Sequence, residues 1–193
     1  MIETLINWDA ALFRFINGAH SGIFDFIMYW LSSTYIWIPL YIYLIYLVFQ
    51  KYALKGFLLL FILSMIILFT DQASTFMFKE VFLRIRPSRD PAFEDSIHLV
   101  NGYRGGWYSF ISAHAANTFA AATFIYILIG KHYKNLKFIL WAWVVLVGYS
   151  RVYLGVHYPG DVICGWIFGM LVSIFVFQLY LLITQRLLKI PHG

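Results

Sequence analysis

Residues 54–87 read LKGFLLLFILSMIILFTDQASTFMFKEVFLRIRP, an apolar run that holds Asp71 and closes on Lys79, Arg86 and Pro87. As a helix, Leu54 to Lys79 rises about 38 Å, more than the roughly 30 Å of a bilayer's hydrocarbon, so Lys79 is expected to emerge at headgroup depth. A spacing of seven is about two helical turns and puts Lys79 and Arg86 on one side of the span. Pro87 is expected to stop the helix. A lipid phosphate lives at that depth. Cations that only snorkel and anchor the span satisfy the same pattern.

Outward from this run the chain keeps the same character. Of 193 residues, 62% are hydrophobic, 21% aromatic and 12% charged, against about 25% charged in a soluble domain. Further apolar runs extend from Ile23 to Phe49, Ser112 to Gly130, Leu136 to about Tyr153 and Asp161 to Leu188. The fold class predicted is all-α, a polytopic membrane helix bundle with five transmembrane helices in a single domain over residues 1–193. Six is the alternative, because Ser32-Ser33-Thr34 can divide the Ile23–Phe49 run, itself interrupted by Asp25, into a short hairpin plus a span. Residues 2–18 set Ile2, Leu5, Ile6, Leu12, Phe13 and Ile16 against Glu3, Asp9, Arg14 and Asn17, the pattern of an interfacial amphipathic helix. The opening MIETLINWDAAL lacks a basic n-region and a small-residue cleavage site, so no removable signal peptide is expected. Cys164, the single cysteine, excludes an intramolecular disulfide and a thiolate metal cluster.

Lysines and arginines orient the bundle. Lys51 and Lys55, then Lys131, Lys134 and Lys137, then Arg186 and Lys189 flank span ends with no acidic residue among them, which predicts that those ends are cytoplasmic. The loop from Pro87 to Phe110 and the Tyr153–Gly160 turn then share the opposite face.

Two further groups of reactive side chains fall on that face. Ser112-Ala113-His114 opens a span, where a serine caps free amides and those amides and the helix dipole attract an anion. Ser112 can equally be a cap and nothing more. His114 sits two residues inside a membrane helix, where ionisable groups usually line a cavity, and an imidazole can protonate a leaving oxygen. Residues 150–161, SRVYLGVHYPGD, bring Arg151, His157 and Asp161 together. A carboxylate on one imidazole nitrogen fixes the tautomer and leaves the other free to attack. A structural His–Asp pair, or a transition-metal site short of further ligands, are the alternatives.

Taken in order, these fragments resemble the signature of the type 2 phosphatidic acid phosphatase (PAP2) superfamily, which also contains vanadium-dependent haloperoxidases. Its first motif, K-x6-R-P, matches Lys79, Arg86 and Pro87. Its third, S-R-x5-H-x3-D, matches Ser150, Arg151, His157 and Asp161. The second, usually P-S-G-H, is Ile111-Ser112-Ala113-His114 here, with proline and glycine replaced. The resemblance implies a metal-independent phosphatase without cofactor, in which His157 attacks phosphorus, Asp161 orients it and His114 protonates the departing oxygen. Lys79, Arg86, Ser112, Ala113 and Arg151 would hold the phosphate oxygens. Asp71 and Ser150 are supporting candidates, Asp71 also suiting helix packing. Arg104, in the loop SRDPAFEDSIHLVNGYRGGWYSF, can meet a second phosphate or a sugar, or remain a solvated charge. Arg84 and Arg89 read as solvated neighbours. The stretch from Arg89-Asp90-Pro91 through SAHAAN resembles membrane lipid phosphatases of Bacteroidetes-type bacteria.

The expected substrate is a lipid phosphate or diphosphate, with membrane lipids as the other partners and no nucleic acid, at the periplasmic face of a bacterial inner membrane. Undecaprenyl diphosphate is the first choice. Lipid A, phosphatidylglycerol phosphate and phosphatidic acid follow. An anion or proton transporter or binding protein is the alternative of another class, since the same ionisable residues can line a path.

Overall fold

The computed structural model describes residues 2–188, so Lys189 lies outside the described residues. Helix α1 (Ile2–Gly18) is followed by α2 (Gly22–Ser32), capped by Ser21, whose hydroxyl accepts from Phe24 N. After a 3-10 turn at Tyr35–Trp37 comes α3 (Ile38–Tyr52), with Pro39 in its first turn, where a missing N–H costs nothing. Helix α4 (Lys55–Ala73) runs on through a wider π turn (Ser74–Lys79) and a last turn (Glu80–Phe82). The remaining helices are α5 (Ala113–Ile129), α6 (Leu136–Tyr153) and α7 (Pro159–Leu188).

The bundle is all-α, and its outer faces are apolar. Phe57, Phe61 and Phe69 of α4 and Leu171 and Phe175 of α7 are exposed, as expected of helices solvated by lipid. Three helices, α4 with its extension, α6 and α7, are each long and apolar enough to cross a membrane. Helix α5, with 17 residues, is shorter, and α2 with the Tyr35–Tyr52 helix forms a pair bent by 72°. Residues 23–49 are therefore not one straight tilted span. The break falls at Ser33-Thr34, where Trp37 Nε1 reaches back to Leu31 O at 2.9 Å.

At the centre, α5 is walled by α4, α6 and α7. Ala115, Ala116 and Ala120 are fully buried, and Gly165 and Gly169 of α7 lie on them so closely that a Cβ at Gly169 would stand 2.1 Å from Ala116 O. Small residues let two helix backbones meet in this way. The lysine-bearing turns share one end, tied by Tyr52 Oη to Leu128 O at 2.8 Å and Tyr133 Oη to Gln50 Oε1 at 2.7 Å. The long loop and the α6–α7 turn close the other end.

Helix α1 lies across that second end. It exposes Leu5, Trp8, Leu12 and Phe15 and buries Phe13 and Asn17. The Asn17 amide donates to His98 O and Tyr153 O at 2.9 and 2.8 Å, and His98 Nε2 meets Asp25 at 2.9 Å. The long loop is stitched down by Ser88 Oγ on Arg104 O at 2.7 Å and by Arg89 on the carbonyls of Gly105 and Gly106.

Candidate active site

The α4 extension stops at Leu83, left-handed at φ 49, and not at Pro87. Beyond it Arg84, Ile85 and Arg86 leave the helix and pair with the returning loop, Arg86 N donating to Trp107 O at 3.0 Å and Ser109 N to Arg84 O at 2.8 Å. Arg86 is thus placed by a short extended segment and not by helical spacing from Lys79. Alternate residues of extended chain share a face, and Arg84 and Arg86 both reach the α6–α7 turn.

Arg86 is 7% exposed. Its Nε donates to Tyr108 O and its Nη1 to Val156 O, both at 3.0 Å, and Nη1 stands 3.3 Å from His157 Nε2. A guanidinium only donates, which fits an imidazole with its lone pair on Nε2 and its proton on Nδ1. Gly105 makes room for this arginine: its φ is +63, and a Cβ there would lie 3.0 Å from Nη1. Burial, with the Arg151 charge beside it, brings the Arg86 guanidinium down to about 10, so it remains a cation at neutral pH.

His157 follows the end of α6 and is almost wholly buried. Burial holds its pKa well below the ordinary imidazole range, and the charges of Arg86, Arg151 and Lys79 act in the same direction. Asp161, fully buried in the first turn of α7, accepts from Tyr158 N at 2.9 Å through Oδ2 and from Arg84 Nη1 at 2.7 Å through Oδ1. The same Oδ2 lies 3.5 Å from His157 Nδ1. At that distance the carboxylate steers the ring by charge more than by a full hydrogen bond, and Nδ1 has no hydrogen-bond partner.

Around this pair the other predicted residues gather. Arg151, 3% exposed at the end of α6, is held through Nη1 by the Ser32 hydroxyl and through Nη2 by Tyr103 Oη at 3.3 Å, while its Nε is buried without a partner. His114 stands exposed in the first turn of α5, within the fields of Arg151, His157, Lys79 and Arg86. Lys79 ends the π turn, within the fields of Arg86 and Asp71. Ser112 caps α5 by accepting from Ala115 N at 3.4 Å, and its own N–H donates to Asp161 O at 3.0 Å, which joins the start of α5 to the start of α7. Ala113 is the first residue of α5.

The supporting candidates divide. Asp71 accepts from Asn117 Nδ2 of α5 at 3.2 Å and borders the cavity described below. Ser150 turns into its own helix, donating to Val147 O at 2.7 Å. Arg104 is exposed in the loop and donates to Ser88 O at 2.9 Å.

Two expectations are corrected. Arg84 is not a solvated neighbour: it bridges Asp161 and Asp9 at 2.7 Å each and lies 3.9 Å over the Tyr158 ring. Burial opposes its charge, and the two carboxylates more than offset that and raise its pKa. Arg89 stacks on Trp107 at 4.5 Å besides binding two carbonyls. Reading residues 84–86 as extended chain would have put Arg84 on the face of Arg86.

Below His114 a cavity of about 530 Å³ opens along one side between α3, α4, α5 and α6, bordered by Tyr41, Leu44, Leu63, Asp71, His114 and Trp143. It is within the size range of a ligand site, about 300–1,000 Å³. A cluster of buried cations and a largely apolar cavity meet at one histidine.

Comparison with known proteins gives the following. The family described as PAP2 superfamily matches residues 55–184. A lipid A 4'-phosphatase of Bacteroides thetaiotaomicron is 36% identical over 171 residues, 88% of this chain and 75% of that protein. A second, from Porphyromonas gingivalis, is 36% identical over 191 residues, 96% of this chain and 78% of that one. An undecaprenyl-diphosphatase of Sulfolobus acidocaldarius is 29% identical over 186 residues, covering 92% and 81%. Among solved structures, that of Aquifex aeolicus LpxE superposes with a TM-score of 0.63 at 28% identity, covering 88% of this chain and 94% of that one.

Proposed function

The chain belongs to the PAP2 superfamily and is a membrane lipid phosphatase, and from that premise we propose that it removes a phosphate from lipid A at the periplasmic face of the inner membrane. The chemistry rests on one observation above the others: His157 Nε2 stands 3.3 Å from Arg86, deep in a cluster of cations, with Asp161 behind its other nitrogen. The choice of lipid rests on kinship. Two relatives named for lipid A match at 36% and the one named for undecaprenyl diphosphate at 29%, so undecaprenyl diphosphate moves from first to second choice. The enzyme reading is preferred to the transporter alternative because the relatives named as lipid A phosphatases match along most of the chain.

In this reading Lys79, Arg86 and Arg151 hold the equatorial phosphate oxygens, with the Ser112 hydroxyl and the Ala113 amide completing the cradle. His157 Nε2 attacks phosphorus as the ester bond breaks, and His114, protonated once the phosphate's negative charge lies among the cations, gives its proton to the departing lipid oxygen. Asp161 stabilises the positive charge that grows on the His157 ring. His114, now neutral, takes a proton from water, and the resulting hydroxide character displaces His157 from phosphorus to release inorganic phosphate. The cavity beneath His114 receives the apolar part of the substrate. The lysine-rich turns at the far end support an outward site.

The test is phosphate release by purified protein in detergent with chelator present, on lipid A, undecaprenyl diphosphate, phosphatidylglycerol phosphate and phosphatidic acid, beside His157→Ala. Release is expected to be fastest with lipid A, insensitive to chelator and absent in His157→Ala. Turnover retained by His157→Ala would remove it as nucleophile, and a faster rate on another lipid would overturn the substrate.

A further inference from the structure

Asp9 belongs to α1, far in sequence from every motif, yet its carboxylate ends at the triad. Its Oδ2 pairs with Arg84 Nη2 and its Oδ1 accepts from Gly160 N, each at 2.7 Å. Arg84 uses its other terminal nitrogen on Asp161 Oδ1, also at 2.7 Å. Gly160 is the residue before Asp161, and a Cβ there would fall 2.9 Å from Asp9 Oδ2, so this approach needs glycine. The side chains of Arg84, Asp9 and Asp161 are 27%, 14% and 0% exposed.

We propose that Asp9 is a positioning residue for the Asp161–His157 pair, acting through Arg84 and the Gly160 amide, so that α1 forms part of the catalytic apparatus. The inference rests on the phosphatase reading of the site. Asp161 Oδ2 has to stay aimed at His157 Nδ1, and the torsion that aims it is set by what holds the two oxygens, Tyr158 N at 2.9 Å on Oδ2 and Arg84 at 2.7 Å on Oδ1. The Arg84 side chain, a quarter exposed, is kept in that pose by the Tyr158 ring 3.9 Å beneath it and by the engagement of its second nitrogen. Asp9 engages it and fixes the backbone beside Asp161 as well.

Docking of α1 has other contacts besides these bonds. Phe13 packs edge-on to Phe93 and Tyr158 at 5.1 and 5.7 Å, and Asn17 is bonded to two carbonyls. Removal of the Asp9 charge should therefore disturb the aim of the triad and leave the helix in place.

Asp9→Asn keeps the shape and loses the charge. Its kcat on the best lipid substrate is expected to fall on the order of 10- to 100-fold, the scale of a small misplacement remote from the reacting atoms, with KM within about two-fold. The unfolding temperature should move by no more than about 4 °C, Asp9→Glu should recover most of kcat, and Glu3→Gln on the exposed face of α1 should match the wild type. Losses in Asp9→Asn and Arg84→Gln should not add in the double variant. The 15N shifts of the His157 ring read the same aim without substrate, and a change in Asp9→Asn is expected. An unchanged kcat, losses that add, or a kcat loss that tracks unfolding and that Asp9→Glu does not restore would overturn the proposal. If the wild type releases phosphate from no lipid, the phosphatase reading fails, and the ring shifts still decide: unchanged in Asp9→Asn, they overturn the positioning role, and changed, they uphold it.

Discussion

His157 is held neutral by its surroundings, and the pH dependence of turnover follows from that. An attacking imidazole must be unprotonated, and burial puts its pKa in the folded protein below the ordinary 6.5. The neutral form is then full at pH 7 and drains away only below 6.5. The acid limb of kcat/KM assigned to His157 is expected below pH 6.5, as an apparent value of the coupled site, and an acid limb lying above pH 6.5 would contradict it. The motif residues themselves were legible in the sequence through their resemblance to the superfamily's K-x6-R-P and S-R-x5-H-x3-D motifs, since spacing alone left snorkelling cations and a structural His–Asp pair open. Arg84 and Asp9 were not. Their partners lie 77 and 75 residues from Arg84 along the chain, and only the left-handed stop at Leu83 turns Arg84 towards them.

Among the elements, α5 and α7 carry the tightest contact. A methyl group on Gly169 would meet Ala116 O at 2.1 Å, and backbone cannot yield as a side-chain tip does. Gly169→Ala should cost about 1–3 kcal/mol through overpacking, read as a lower unfolding temperature in detergent, while the same change at exposed Gly18, which has open space around it, should cost far less. Helix boundaries were readable where capping chemistry is local: Ser112 and Gly130 bound α5 as expected, and α6 spans Leu136–Tyr153. The bend between α2 and α3 was marked by Ser32-Ser33-Thr34 only as the alternative to one span, since the rest of Ile23–Phe49 is almost uniformly apolar. The bend is held by one distant contact, Arg151 on Ser32, and one local one, Trp37 turned back on Leu31. The π turn was hidden, because a one-residue widening leaves hydropathy unchanged.

Across the whole molecule, lysine-bearing turns and reactive residues occupy opposite ends, as two independent readings of the sequence require. Single cysteines at His20 and Lys134 in a Cys164→Ala background should label from opposite sides of a sealed membrane, residue 20 from the periplasmic side. Labelling of both from one side would overturn the topology. The cavity beneath His114 is open along one flank of the bundle and lined largely by apolar side chains, with Asp71, Asn117 and His114 among its polar residues. A substrate using it can arrive sideways and keep its chains in the bilayer throughout turnover. Encounter is then a two-dimensional search, and the quantity that saturates the protein is the mole fraction of substrate in the surrounding leaflet. Diluting the whole suspension would leave the rate per molecule untouched, whereas adding inert lipid would slow it.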